Sequence, residues 1–426
     1  MHTKTLFQKL LGLEKTVVEG VRLDDDDVLV VSVRPTAREQ LRCPQCRGKC
    51  PKYDKGSGTR RWRHLDAATS MTFLEAPAPR VRCPRHGVVV ADVPWARSGA
   101  GHTRAFDDEV AWLAVKLSNT AVCELMRVAW TTVGSIITRV WADVEAKEDR
   151  LDGLSRIGID EVSYKRGHKY LTVVVDHDRR RLVWAAPGRD SKTLQLFFDA
   201  LGPERCAKIT HVSADQADWI AKTVTWKCPD AVLCADPFHV VQWATDALDE
   251  VRREAWREAR KSGQTQTRGK GRVYSTGDAK KLRNSCYTLW KNPDNLTERQ
   301  KAKLEWIVKN NPRLYRAYRL KEGLRYVFTV KGEAGKVALE RWLSWARRCR
   351  IPVFVHLAKR ITLIRDKIHA TLDHGLSNAL VESTNTKIRL LTRIAYGFKN
   401  PQALIAIAML SLGGHKPTLP GRKETH

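Results

Sequence analysis

The chain has 426 residues, 42% of them hydrophobic and 29% charged, and its 75 Lys and Arg outnumber 47 Asp and Glu to leave a formal net charge of +28. That length and composition suit a folded protein of several domains, while the positive field favours a polyanionic partner, because each neutralised phosphate releases counterions. No run approaches the roughly 20 apolar residues of a membrane helix, and the N-terminus MHTKTLFQKLLGLEKT has no leader-like apolar core. A membrane role is excluded on this reading, and a cytoplasmic, nucleoid-associated protein is expected. Its ten cysteines are then thiols or metal ligands rather than disulfides.

Residues 1–97 read as a small β-rich module with short alternating runs such as Val28 to Val33. Cys43-Pro44-Gln45-Cys46 and Cys83-Pro84-Arg85-His86 are two short-spaced pairs of soft ligands. Each pair fits one tight turn, and two such turns complete a tetrahedron around one structural zinc ion. Two or three strands are expected to fill residues 47–82. Cys50 and His64 compete as ligands but belong to no pair. Arg60, Arg61 and Arg63 place cations beside Trp62, as a DNA contact would require.

SGAGHT (Ser98 to Thr103) is a glycine-punctuated linker, and residues 103–150 read as helical. Leu117 to Trp141 has the cadence of a helix-turn-helix. Val122, Leu125 and Met126 form one apolar face, and the break falls near Val128-Ala129-Trp130. Thr131 or Thr132 caps a second helix that turns Val133, Ile136 and Ile137 inward. Thr131, Thr132 and Arg139 would then face a DNA groove.

From Arg156 the pattern changes. RIGIDE, KYLTVVVD and RLVWAAP read as strands, the last two joined at HDRR, where Asp176 and Asp178 are turn formers. SKTLQLFFDALG carries Leu194, Phe197, Phe198 and Leu201 at helical spacing. AKITHVSAD is a fourth strand, ADWIAKTVTWK a helix and AVLCAD a fifth strand, so a mixed α/β sheet follows. Beyond Phe238 the chain is mostly helical, interrupted by a polar, basic loop from Arg260 to Arg272.

Asp160, Asp215 and Asp236 each close one of these strands. Any one of them alone fits a helix cap or turn residue, but three together fit the carboxylate cluster that holds divalent ions. Glu161 points to the opposite face from Asp160 on an extended strand.

The segments GIDEVSYKRGHKYLTVVVD, GRDSKTL, ADPFHVV and NALVESTNTKIRLLTRIAYGF, taken in this order, resemble the DDE transposases of bacterial insertion sequences, specifically the ISL-three group. The likeness covers nearly the whole chain. It implies an α/β fold: a ribonuclease-H-like mixed-sheet catalytic core with a helical insertion, preceded by the β-rich zinc module and the helix-turn-helix. Carried over, the catalytic and metal-binding residues are Asp160, Asp215 and Glu382, holding two Mg²⁺ (or Mn²⁺) ions. Asn385 shares the helix face of Glu382. Asp236 and His239 resemble the family's accessory Asp/Cys-x-x-His motif, although His239 equally fits a core histidine. The family commonly has Gly where Ala379 stands. The core then divides into 151–256 and 374–426, the latter completing it with the Glu helix and a C-terminal tail, around an insertion at 257–373.

The resemblance implies a transposase that binds terminal inverted repeats and target DNA, as a homodimer or larger assembly, and catalyses strand cleavage and strand transfer. Lys387 and Arg389 follow Glu382 closely and fit either phosphate contacts or a solvated basic face. Two alternatives keep the fold: a structure-specific nuclease, and an inactive, transposase-derived DNA-binding regulator.

Overall fold

The computed structural model describes residues 3–215, 217–264, 276–398, 400–415 and 417–422. The chain divides into two compact units, Met1–Arg150 with Leu390–His426, and Leu151–Arg389.

The first unit opens with α1 (Thr3–Leu10) and seven strands: β1 (Thr16–Leu23), β2 (Leu29–Pro35), β3 (Lys52–Asp54), β4 (Thr59–Ala67), β5 (Ser70–Pro77), β6 (Arg80–Cys83) and β7 (Gly87–Val90). They form two sheets, in the orders β1-β2-β5-β4 and β3-β6-β7. Four strands, more than expected, thus lie between the two ligand pairs. The β4–β5 hairpin leaves the small ribbon because it packs Trp62, Leu74 and Ala76 with Val31 and Val33 in a separate apolar core.

Three helices follow, α2 (Arg104–Lys116), α3 (Asn119–Met126) and α4 (Trp130–Glu145), the first two capped by Thr103 and Ser118. The α3–α4 turn passes through Arg127 in the left-handed region, φ 52°. Val133, Ile136 and Ile137 are buried as expected. Leu125 is not: it is 59% exposed, leaving Val122 and Met126 to the core. Thr131 and Thr132 do not cap α4, which begins at Trp130 behind Ala129 with no side-chain cap, so both lie inside its first turn. The last helix, α17 (Pro401–Leu412), packs against α4 and α2. Its Ala403 methyl lies 3.6 Å from where a Cβ on Gly134 would stand. α17 thus lies in the helical part of this unit.

The second unit contains a five-stranded sheet of order β10-β9-β8-β11-β12, built from β8 (Arg156–Lys165), β9 (Lys169–Asp176), β10 (Arg181–Pro187), β11 (His211–Ala214) and β12 (Val232–Ala235). The first three strands are antiparallel neighbours, whereas β11 runs parallel to both β8 and β12. The helices α5 (Ser191–Leu201), α6 (Pro203–Cys206) and α7 (Asp218–Lys227) interleave with them. Leu194, Phe197, Phe198 and Leu201 join Ile157, Ile159 and Val212 in one core, the face that the 3.6-residue spacing of α5 requires.

A 28-residue helix, α8 (Pro237–Gln264), begins directly after β12. The start of the basic segment expected as a loop, through Gln264, is therefore helical, and residues 265–272 lie outside the described set. Helices α9 (Thr276–Arg283), α10 (Cys286–Trp290), α11 (Glu298–Asn310), α12 (Pro312–Thr329), α13 (Gly332–Arg348), α14 (Pro352–Leu363) and α15 (Arg365–His374) pack with α8 around Leu248, Leu320, Trp342 and Phe354. The chain then returns in α16 (Ala379–Ile394). No helix among the described residues is long and apolar enough to cross a membrane.

Candidate active site

Strand register aligns the acidic residues. Ala214 of β11 pairs with Ile159 on one side and with Ala235 on the other, both in parallel. The next residue on each strand is acidic: Asp160, Asp215 and Asp236. Parallel neighbours lie about 4.8 Å apart, so register alone sets three carboxylates side by side. Asp160 does not close its strand, however. β8 continues to Lys165 because β9 keeps pairing with it, and Asp160 stands where its other neighbour, β11, stops.

His239, in the first turn of α8, joins the group. Its Nδ1 lies 3.1 Å from Asp215 Oδ1 and 3.2 Å from Asp236 Oδ2. Asp236 is only 2% exposed; its Oδ1 accepts from the Asn378 amide at 3.3 Å, and the Phe238 and His239 amides also donate to it. Burial nevertheless outweighs these donors and the nearby His239 and raises its pKa. Asp215 is more open, with 42% of its side chain exposed.

Helix α16 supplies the remaining groups. Asn385 Nδ2 donates to Asp160 Oδ2 at 2.8 Å, and the Glu161 amide donates to Asp160 Oδ1 at the same distance. One turn earlier, Glu382 has a pKa raised by burial and by Asp236, against the pull of His239. Asp160 is pushed up to about 6, chiefly by burial, with Asp215 and Glu161 adding to the effect and His239 opposing it. His239 thus contacts Asp215 and Asp236, and its electrostatic influence also reaches Asp160 and Glu382. Among the described residues these groups are not gathered into a compact ligand set. The cluster is open, and it concentrates negative charge around a single histidine.

Close packing sets the position of α16. A Cβ on Gly158 of β8 would stand 2.5 Å from Val381 and 2.7 Å from His177, so glycine is what lets the helix approach the sheet. Behind this contact, Asn378 Oδ1 accepts from Ser213 Oγ at 2.7 Å, and Ser213 Oγ lies 2.8 Å from His177 Nε2. This buried chain, which sequence reading missed, ties the start of α16 to β11 and to Asp236. Also missed was Arg189, whose Nε lies 2.8 Å from Glu161 Oε2 and whose guanidinium stacks 4.8 Å from the Tyr170 ring. Only its place in GRDSKTL hinted at it.

The second cluster is closed. Cys43, Cys46, Cys83 and His86 have ligand atoms all within 4.8 Å of one another. His86 Nδ1 lies 3.5 Å from both Cys43 Sγ and Cys83 Sγ, and Cys46 Sγ lies 3.7 Å from Cys83 Sγ. A tetrahedron with zinc–sulfur bonds of about 2.3 Å and zinc–nitrogen bonds of about 2.0 Å has edges of about 3.8 and about 3.5 Å. The donor set therefore fits zinc in both chemistry and spacing. Burial pushes the Cys83 thiol up, but the Arg85 and His86 amides donate to its sulfur and bring it down to about 7. Neither competing ligand joins the set. Cys50 bonds the Gly48 carbonyl at 3.5 Å, and buried His64 pairs with Thr103 Oγ1 at 2.9 Å.

Several residues expected to meet DNA are held within the protein. Arg139 donates to Asp107 at 2.9 and 3.0 Å, a fully buried carboxylate that requires a cation, so it does not face a groove. Arg63 is 6% exposed and bonds Asp66 and the carbonyls of His64 and Thr72, which removes it from any surface. Arg60 reaches the Ala100 carbonyl at 2.7 Å across the Trp62 ring. Arg61 is exposed but pairs with Glu75 at 2.9 Å. Thr131, Lys387 and Arg389 are exposed, and Thr132 is half-buried.

This mixed five-stranded sheet, with acidic residues aligned where its parallel strands end, lies within a chain whose segments match the domains of one class of protein, the transposases. Residues 157–408 match the ISL3 family described as Transposase. Residues 91–141 match the helix-turn-helix domain of transposase family ISL3, and residues 39–86 the zinc-finger of transposase IS204/IS1001/IS1096/IS1165. The transposase for insertion sequence element IS1557 of Mycobacterium tuberculosis is 62% identical over a 436-residue alignment, covering 99% of this chain and 98% of the relative. The transposase for insertion sequence element IS1001 of Bordetella parapertussis is 27% identical over 412 residues, covering 94% and 96%. The chain belongs to the ISL3 family of insertion-sequence transposases, and it is a DNA-transposing enzyme.

Proposed function

We propose that this transposase binds the terminal inverted repeats of its own element and catalyses Mg²⁺-dependent strand cleavage followed by transfer of the freed 3′ end into target DNA. Asp160, Asp215 and Glu382 are the ligands of two Mg²⁺ ions, for which Mn²⁺ can substitute, and Asp236 with His239 is the accessory pair. The observation that carries this reading is the register that puts Asp160 beside Asp215, with Asn385 joining the Glu382 helix to Asp160. The donor set fits hard cations: carboxylates from separate elements are set near one another, and the pKa of Asp160 rises chiefly through burial, with Asp215 and Glu161 adding to it. When bound, such ions lower the pKa of an attacking hydroxyl and stabilise the charge that develops on the leaving oxygen.

The remaining roles fall to the protein. Asn385 and the Glu161 amide orient Asp160, each on a different oxygen. Asp236, fixed by backbone amides, holds His239 against Asp215 and so keeps the open carboxylate in place. Arg189, half-exposed beside Glu161, contacts a phosphate of the strand at the site, and Lys387 and Arg389 track the backbone further along. Thr131 and Thr132, in the first turn of α4, contact DNA from the helix-turn-helix, while a zinc-filled ribbon with Arg61 supports end binding. Joining two ends requires at least two copies.

Incubation with the DNA flanking its own gene plus Mg²⁺, with breaks mapped to the nucleotide, tests this proposal. Cuts at the element ends and joining of a precut 3′ end are expected. Cleavage of branched or hybrid substrates without joining would favour a nuclease, and binding without any nicking would favour a regulator.

A further inference from the structure

Directly beside the carboxylates lies a cavity of about 300 Å³ whose wall includes Phe238, Phe328, Lys331, Leu372, Asp236 and Glu382. Its volume is at the lower end of the roughly 300–1,000 Å³ typical of small-molecule sites, room for one heterocycle and its sugar but not for a duplex. The lining is mixed: two aromatic rings and a leucine together with the acidic groups Asp236 and Glu382 and the cation Lys331. Phe238 is 58% exposed, an unfavourable state for a large apolar side chain beside a charged cluster unless something covers it. Its ring centroid lies 5.7 Å from that of His239, which itself touches Asp215. Lys331 is exposed and forms no ion pair among the described residues.

We propose that this cavity receives a single unstacked nucleobase of the DNA being cut, stacked on Phe238, with Lys331 meeting the adjoining phosphate. This rests on the reading of the carboxylates as the cutting site. Glu382 and Asp236 belong to both the cluster and the cavity wall, so a nucleotide whose phosphate sits at the carboxylates has its base within reach of Phe238. A base still stacked in a duplex cannot enter, so one base must leave the helix, at a cost that stacking on an aromatic ring offsets. Ring stacking tolerates any base, so the site would select a position rather than a sequence.

The test uses the full-length protein and duplexes spanning the end of its own element, each carrying 2-aminopurine at one of the nucleotides flanking the cut. Ca²⁺ replaces Mg²⁺ so that binding is read without cleavage. The fluorescence of one position is expected to rise several-fold on binding. Phe238→Ala should abolish that rise and weaken binding roughly tenfold, whereas Phe238→Tyr should keep both. No brightening at any position, or brightening unchanged in Phe238→Ala, overturns the proposal. A parallel Mg²⁺ reaction reports separately on the parent reading: cleavage by the wild type and none by Asp160→Asn upholds the carboxylate assignment whatever the fluorescence shows.

Discussion

The two ligand clusters of this chain are built on opposite plans. In the zinc ribbon, four donors from two short turns already stand at the corners of a tetrahedron. In the catalytic unit, carboxylates from three strands and a distant helix gather around His239 without closing on one point. A structural site must be complete to hold a fold together, whereas a catalytic site must leave positions for substrate. The ribbon is therefore expected to be stable only when filled, and the core to fold whether or not its proposed site is filled.

Chelation should separate the two most strongly. Structural zinc contributes an apparent binding free energy of about 10–16 kcal/mol in small domains. Removing it should release about one zinc per chain and unfold residues 39–86, leaving the five-stranded sheet intact. Hydrogen exchange read unit by unit would show this, and equal loss of protection in both units would break the contrast.

Next in size is the effect of Asp160→Asn. Cleavage should fall by at least ~10³-fold with DNA binding and fold unchanged. Asp236→Asn, which touches the cluster through His239, should cost only about 10–100-fold, as outer-shell partners do. If Asp236→Asn is the more damaging and Asp215→Asn stays active, the two aspartates exchange roles.

Acidification should act on the first unit through His64, whose pKa burial pushes down to about 4. A depressed pKa means that the fold favours neutral imidazole. The stabilisation is present above pH 6.5 and is lost as pH falls through about 4, a difference on the order of 3 kcal/mol. His64→Gln should flatten that part of the stability–pH curve of this unit, measured by denaturant titration.

A smaller effect is expected from Gly158→Ala. The added methyl would press on Val381 and His177, costing about 1–3 kcal/mol and shifting α16. Cleavage should drop more than end binding, because Glu382 and Asn385 move with the helix. Unchanged rates would show that α16 need not sit so close.

The ribbon ligands were readable in the sequence because their spacing is local: two turns, each with its own pair. The strands RIGIDE, KYLTVVVD and RLVWAAP and the α5 face were readable for the same reason. Register was not, since nothing in AKITHVSAD states that Ala214 meets Ile159. Nor was the fate of individual arginines. A basic composition cannot tell that Arg139 answers the buried Asp107 or that Arg63 lies inside, because both depend on contacts between separate elements. Leu125 reads as core by periodicity, yet α3 is short and turns it outward. Likewise, only packing reveals that α17 belongs with α4.

The most direct test of the central claim is anomalous scattering from Mn²⁺ in crystals of the protein bound to its element end. The account predicts two sites, held by Asp160, Asp215 and Glu382. Manganese held by Asp236 and His239, with Glu382 turned away, would contradict it.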